Sequence, residues 1–426
     1  MKKPFAVVFG VTTAICGVII CTNILAVSVQ PGDLAGVVHL FKSTSSSTDY
    51  YTNNPSIAEE QWIGGHYMGM LVYSPYWDNK LSWYPQGYVY DDSYAIYISD
   101  SDTISAHPEW ILKDSVGNNL YINWNCNGTC PQYAADISNP AYQQAWINNI
   151  AAVLALGYQG LFIDDVNMDW RISDGNGNAV CNDGNNSDPC PTVMDANTGQ
   201  PMTLENWRMY FAQFLQQIRA AFPNTSIIHN SIWYAGGSDG VNDPYIQQQI
   251  AASNYQYIEH GVTDGGVTGD GGQYSVQAMQ NRIDVIHGLG AAVILGAAGS
   301  SIANKEYTAA SYFLTSNGYD AVGSSGASDF WDSYWTGFDT NLGTPTSNRY
   351  VWNGLICRNF SGGMVLVNPP GSSTQSVFLP GIYLRTDGTQ VNVLSLAPKH
   401  GAILIFAGTP PVSPRLPAGY AIDSSK

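Results

Sequence analysis

The chain has 426 residues, 45% of them apolar and 12% aromatic, with Gly (43) and Pro (22) near ordinary abundance. This composition excludes a disordered chain, a coiled coil and a collagen-like fibre, and the length suffices for one large core with a small second domain. Only 12% of residues are charged, about half the usual share, and 33 acidic against 16 basic residues leave a net charge of −17. No basic stripe is present for a nucleic acid, and a surface rich in neutral polar groups, Tyr and Trp suits neutral hydrogen-bonding ligands, sugars foremost.

In chain order, Lys2 and Lys3 precede an apolar run from Phe5 to Val29 that passes through Ala26-Val27-Ser28. A basic start, an apolar centre and a small-residue cleavage site make residues 1–30 a secretory leader, with an uncleaved membrane anchor as the alternative. No later segment reaches about 18 uninterrupted apolar residues, so the body is expected to be soluble and exported.

Residues 31–345 alternate short apolar runs with helical patterns. Strands are expected at 36–41, 68–73, 94–98, 160–164, 226–230, 255–259, 291–295 and 321–323. Residues 140–156 carry Trp146, Ile150, Val153 and Leu154 on one helical face, behind Asn139 as cap and Pro140 at the first helical position. Residues 204–221 place Trp207, Phe211, Phe214, Leu215 and Ile218 at the same spacing. About eight such strands, each followed by a helix, argue for an α/β fold, a (β/α)8 TIM barrel, with a doubly wound open sheet as the alternative. From 346 to 410 the texture changes to short strands parted by Gly, Pro, Asn and Asp turns, a small C-terminal antiparallel β-sandwich domain, and 411–426 reads as a flexible tail.

Outside the leader, Cys126 and Cys130 bracket Asn-Gly-Thr, and Cys181 and Cys190 bracket a polar loop. Two local disulfides are the simplest expectation in an oxidising compartment, since no His sits at ligand spacing for zinc. Cys357, in an apolar strand, reads as a buried thiol.

In a barrel of this kind chemistry sits at the C-terminal ends of the strands. Asp164 and Asp165 end one apolar run and Glu259 ends another. Alternation puts Gly160, Phe162 and Asp164 on one face and Ile163 and Asp165 on the other, so one Asp of the two is expected to point straight into the mouth. An acid after a strand commonly caps the next helix, but here Asp-Asp-Val-Asn-Met-Asp-Trp opens a long loop in a chain poor in charge. A carboxylate pair across a sugar-sized cleft is what glycosidic cleavage needs.

The stretch Gly157-Tyr-Gln-Gly-Leu-Phe-Ile-Asp164-Asp165-Val-Asn167 resembles the fourth-strand motif, GFDGVFLDDV, of a bacterial glycoside hydrolase-like TIM-barrel family. The resemblance continues in His107-Pro-Glu-Trp-Ile-Leu-Lys-Asp, in the stretch from Asp136 to Trp146, and in Arg358-Asn-Phe-Ser-Gly-Gly-Met-Val-Leu-Val-Asn368-Pro, and so spans most of residues 100–410. Similar barrels of the α-galactosidase and α-glucosidase type place the nucleophilic Asp seven residues after the opening Gly and the acid/base on the sixth strand. That implies Asp164 as nucleophile (or base) and Glu259 as general acid/base of a glycoside hydrolase; retention is expected, with a carboxyl separation of about 5–5.5 Å, and inversion, at about 6.5–9.5 Å, is the alternative. Gln159 stands where the family has Asp, at a position before the strand.

Asn230, at the end of the fifth strand, could bind a sugar hydroxyl; Asp165 and Asn167 could orient the site; Trp124 is a candidate stacking platform, as are Trp170, Trp233, Trp331 and Trp335. The expected partner is an oligo- or polysaccharide. Neither cofactor nor metal is expected: there is no Walker loop, no His-Glu-x-x-His and no dinucleotide fingerprint, and Asp174-Gly-Asn-Gly-Asn178 lacks the Gly and closing Glu of a calcium loop. A secreted, non-catalytic carbohydrate-binding barrel is the alternative function.

Overall fold

The computed structural model describes residues 34–180, 190–269, 271–297 and 299–408. The expected leader at 1–30, the Cys181 half of one expected disulfide and the expected tail at 411–426 lie outside them. Eight parallel strands close a barrel in chain order: β1 (Leu40–Ser43), β2 (Tyr67–Val72), β3 (Gly87–Asp92), β4 (Gly160–Val166), β5 (Ser226–Ser231), β6 (Tyr255–Ile258), β7 (Ala292–Gly296) and β8 (Ala321–Ser324). Closure comes from β1 pairing with β8, Phe41 opposite Gly323.

Helices surround the barrel: α1 (Ile57–His66), α2 (Pro140–Leu154), α3 (Leu204–Ala221), α4 (Pro244–Ala251), α5 (Val276–Gly288) and α6 (Ile302–Thr315). Each starts at a residue whose side chain accepts backbone N–H groups left without intrahelical partners. Asn139 receives Ala141 and Tyr142 ahead of α2, with Pro140 at the first helical position, and Thr203, Asp243, Ser275 and Ser301 serve α3 to α6 in the same way. Between β2 and β3 the connection is a 3-10 turn at Asp78–Ser82, and the fully buried Trp77 and Tyr84 fill the space there.

The inside of the barrel is packed. Phe41, Leu71, Tyr88, Phe162, Ile228, Tyr257, Ile294 and Ala321 form one buried cluster, whereas Val89, Leu161, Ile163, Ile227 and Ile258 pack outward among the helices. Period-two alternation along each strand produces this division. Gly160 is required by it: a Cβ there would lie 2.5 Å from the Tyr88 ring and 2.4 Å from the Ser226 carbonyl oxygen.

The third barrel strand is not residues 94–98. Ala95–Tyr97 instead pairs antiparallel with Gln132–Ala134, in a four-stranded side sheet completed by Tyr121–Ile122 and Ile172–Ser173. Both segments are short aromatic-rich runs, and only pairing separates them: Met70 meets Gly87 on one side and Tyr88 meets Gly160 on the other. Strand β1 also runs later than expected because the sequence hides its end in a charge, Lys42, which is fully buried.

The C-terminal unit is a six-stranded antiparallel sheet: β9 (Tyr350–Trp352), β10 (Leu355–Phe360), β11 (Gly363–Asn368), β12 (Gln375–Leu384), β13 (Gln390–Leu396) and β14 (His400–Phe406), in the order β9-β10-β11-β14-β12-β13. Strands β9 and β10 form a hairpin, since Asn353 and Gly354 between them both take positive φ, 50° and 79°, as a two-residue turn demands. Val365, Val367 and Ile403 pack with the barrel's helical layer, and Leu366 and Leu404 share a second core with Val377, Leu379, Leu394 and Leu396. Arg358 donates to the carbonyls of Phe313 and Ser316, which ties the sheet to the end of α6.

Cys126 and Cys130 are disulfide-bonded, in the loop between two side-sheet strands. Cys357 is a buried free thiol whose pKa burial pushes up. No helix among the described residues is long and apolar enough to cross a membrane.

Candidate active site

One step above the aromatic barrel floor, alternation turns four side chains toward the mouth: Asp92 after Tyr90, Asp164 after Phe162, Asn230 after Ile228, and Glu259 after Tyr257. They line a cleft of about 620 Å³ at the C-terminal end of the barrel. Of the residues expected from the sequence to act, Asp164, Asp165, Asn167, Asn230, Glu259 and Trp124 all line this cleft.

Asp164 is held by three donors. The Tyr90 hydroxyl donates to Oδ2 at 2.7 Å, Asn230 Nδ2 to Oδ1 at 2.8 Å, and the backbone N–H of Asp165 to Oδ1 at 2.9 Å. Charge-assisted contacts of this length leave the carboxylate little rotational freedom. Burial, with the Asp164 and Asp92 carboxylates adding to it, raises the Tyr90 phenol far above its ordinary range, so Tyr90 acts only as a donor.

Both Asp164 and Asp165 reach the cleft, where simple alternation sends only one there. The ladder between β4 and β5 explains it. His229 pairs with Ile163, but Ser231 already pairs with Val166, so the pair of acids occupies a bulge with one residue more than its partner. Asp165 absorbs the bulge with φ of 51°, a left-handed conformation that Asp tolerates better than most residues. His260, directly after Glu259, is left-handed too, at φ 59°. Strained backbone thus follows both candidate acids, a placement associated with functional sites.

Around these sit titratable groups far from their ordinary values. Burial, then the neighbouring Asp164, pushes Asp165 up to about 6, although Asn167 Nδ2 donates to it at 3.0 Å. Burial also raises Asp91 to about 6 and Asp92 well above the carboxylate range. Glu259 differs: its side chain is 61% exposed, with His260 Nε2 3.7 Å from Oε1. The cleft thus holds one oriented, half-enclosed carboxyl group, Asp164, and one accessible acid, Glu259, the two kinds of group that a two-carboxylate displacement at a sugar carbon uses.

Tyr73, Tyr90, Asp92 and Arg171 line the same cleft and were missed. The signal for Asp92 is in the sequence, because Tyr88-Val-Tyr-Asp91-Asp92 has the form of Leu161-Phe-Ile-Asp164-Asp165. Placing the third strand at 94–98 hid it. Of the other tryptophans considered, Trp233 lines the cleft, while Trp170 packs on Trp207 and Trp335 on Phe338. In the 174–178 loop the Asp174 carboxylate is occupied by the N–H groups of Asn176 and Asn178 at 2.8 and 2.9 Å. Among the described residues no group of His, Cys, Asp and Glu is arranged to hold a metal ion.

No curated protein matches the chain. Among solved structures, the glycoside hydrolase domain of PelA from Pseudomonas aeruginosa is similar at 14% identity over 68% of this chain and 94% of that one, with a TM-score of 0.38. An α-amylase from Lactobacillus plantarum (12% identity, 88% and 99% coverage, TM-score 0.45) and the noncanonic maltogenic α-amylase AmyB from Thermotoga neapolitana (11%, 88% and 99%, 0.47) are similar at the same level. The family model that matches residues 70–364 is that of hypothetical glycosyl hydrolase family 15. That span takes in β3 to β8, the Asp-Asp bulge and Glu259, and the chain belongs to hypothetical glycosyl hydrolase family 15.

Proposed function

We propose that the protein is an exported glycoside hydrolase that cleaves an oligo- or polysaccharide, with Asp164 as nucleophile and Glu259 as general acid/base. The observation that carries this reading is the fixation of Asp164 by Tyr90, Asn230 and the Asp165 N–H at an inward position of a sugar-sized cleft. A nucleophile aimed by three donors needs little reorganisation to meet an anomeric carbon. Glu259, accessible on the sixth-strand rim, is placed to give a proton to the leaving oxygen and then to take one from water, which yields retention. Trp124 and Trp233 offer faces for sugar rings, and Asp165, Asn167 and Asn230 polar groups for hydroxyls. Export is supported by the basic-apolar start of the sequence and by the Cys126–Cys130 disulfide.

A polysaccharide panel tests the reading: the wild type releases reducing ends from at least one member, and Asp164→Asn releases none while still binding it. A second reading, a carbohydrate-binding barrel without catalysis, draws on the exposure of Glu259, which lacks the enclosure that usually keeps a catalytic acid protonated. Binding without hydrolysis by the wild type would decide for it.

A further inference from the structure

A second cavity, of about 380 Å³, lies at the opposite end of the barrel from the cleft, where β5, β6 and β7 begin. Ser226 of this cavity opens β5 and Ser231 of the cleft closes it, so the two lie about 16 Å apart along the strand, at about 3.3 Å per residue. Between them sits the packed barrel floor of Tyr88, Phe162, Ile228 and Tyr257. The cavity's polar groups have hydrogen-bonding capacity left over. Asn254 Oδ1 is spent on Arg219 Nη2 at 2.6 Å and the Ile227 N–H at 2.9 Å, which leaves its NH2 group without an acceptor among the described residues. Asn317 Oδ1 takes the Tyr319 N–H at 3.0 Å and leaves its NH2 group in the same position. Gln159 donates to the Tyr88 hydroxyl at 3.3 Å and that hydroxyl to Ser226 Oγ at 3.0 Å, so this chain of donors ends on the Ser226 proton. The hydroxyls of Tyr255 and Tyr319, also in the wall, have no hydrogen-bond partner among the described residues. His287 Nε2 is held by Asp320 Oδ1 at 2.9 Å; a carboxylate only accepts, so the neutral ring keeps Nδ1 as an acceptor.

The charged groups behind this wall are already committed. Arg219 gives its remaining N–H groups to the carbonyls of Ala252 at 3.0 Å and Thr225 at 2.8 Å, so it is not free to hold a phosphate or a carboxylate. Asp320 takes the Val293 N–H at 2.7 Å as well as His287, and its second oxygen takes the Asn317 N–H at 3.3 Å, so it is not free to hold a metal ion. What the cavity offers is neutral donors, hydroxyl and imidazole acceptors, and the ring of Tyr319, which is 52% exposed and stacks on no other ring among the described residues. A ligand that matches carries many hydroxyl groups, no charge and an apolar ring face. We propose that this cavity is a second saccharide site, separate from the cleft, which binds a neutral monosaccharide or disaccharide with Tyr319 against a ring face and Asn254, Asn317 and Ser226 on its hydroxyls. The site binds and does not cleave, since its wall carries no pair of carboxylates. It requires nothing of Asp164.

Glucose, galactose, N-acetylglucosamine, maltose and cellobiose serve as probes, each titrated into the purified full chain carrying Asp164→Asn, so that cleavage does not interfere. Binding is read by calorimetry and located by hydrogen exchange. At least one sugar is expected to bind and to slow exchange of the backbone amides at 287–292 and 317–319. Two further variants test the contacts. Tyr319→Ala removes the ring face, and Asn254→Asp keeps the acceptor for Arg219 and Ile227 while removing the free NH2 group. Each weakens that binding by about tenfold or more, with thermal melts that show the fold retained. Trp124→Ala, in the cleft, leaves the protection of these two segments as it was. Protection by none of these sugars overturns the proposal, and so does protection that either Tyr319→Ala or Asn254→Asp leaves intact. Protection by inorganic phosphate in place of a sugar also overturns it. A wild type that hydrolyses no saccharide bears on the reading of Asp164 alone, because these titrations measure binding at the other end of the barrel.

Discussion

The Tyr90 hydroxyl lies 2.7 Å from Asp164 Oδ2, so the carboxylate at the end of β4 is aimed by a phenol from the neighbouring strand β3. The ring that carries this hydroxyl stacks on Phe162, with centroids 6.2 Å apart, so the donor is fixed by the packed barrel floor. A rigid scaffold thereby sets the direction of a reactive group, which surface loops do less well.

Removing the hydroxyl alone leaves that ring in place. Tyr90→Phe is expected to unfold like the wild type and to lose about 10- to 100-fold in kcat/KM, the worth of one hydrogen bond to a charged group. Steady-state kinetics beside a thermal melt checks this; an intact rate means that Asp164 does not need the donor.

Glu259 is expected to matter in proportion to how badly the leaving group needs a proton. Glu259→Gln should lose about 10²- to 10⁴-fold on a natural glycoside and far less on an aryl glycoside of the same sugar, whose leaving group departs unprotonated. Equal losses on both substrates would remove Glu259 from the role of acid. The anomer first released, followed by NMR, tests retention.

Asp91 gives a pH effect with a definite sign. Burial raises its native value to about 6, against about 3.9 unfolded, so its favourable contribution is present below about pH 3.9 and is lost as pH rises through 6. Asp91→Asn keeps the acceptor for the Asp92 N–H and removes the loss. The variant should match the wild type near pH 4 and exceed it by at most about 3 kcal/mol at pH 8, read from denaturant midpoints at the two pH values.

At the β1–β8 seam, Asp329 pairs with the buried Lys305, and its Oδ2 accepts from Ser324, which also accepts from the fully buried Lys42. Burial lowers Lys42 to about 7, with Asp329 opposing the shift. Asp329→Ala removes the ion-pair partner of buried Lys305 and the acceptor behind Ser324 and Lys42, and about 3–5 kcal/mol of stability should go with it. An unchanged denaturant midpoint would show that water, not Asp329, satisfies them.

Much of the site is legible in the sequence. Asp164, Asp165 and Glu259 each follow an apolar run, and strand-end acids in a barrel of parallel strands converge on one mouth. Asp92 and Tyr90 were not found, although the pattern around them repeats that of β4. A second aromatic run, 94–98, lay within a few residues, and local propensity cannot say which of two runs pairs into a barrel and which into a side sheet.

By itself, the sequence determined the alternation of strands and helices, the caps that begin the helices, the antiparallel C-terminal unit and the residues able to act as acids. These follow from periodicity and from hydrogen bonds within a few residues of one another. Tertiary structure alone decided that 87–92 is the third strand, that an extra residue at the β4–β5 ladder turns both Asp164 and Asp165 into the cleft, and that Tyr90 and Asn230 close on one carboxylate. The last two depend on the register of β4 against β3 and β5, whose bonded residues Tyr90–Asp164 and Asn230–Asp164 lie 74 and 66 residues apart along the chain, where a shift of one residue reverses every side chain.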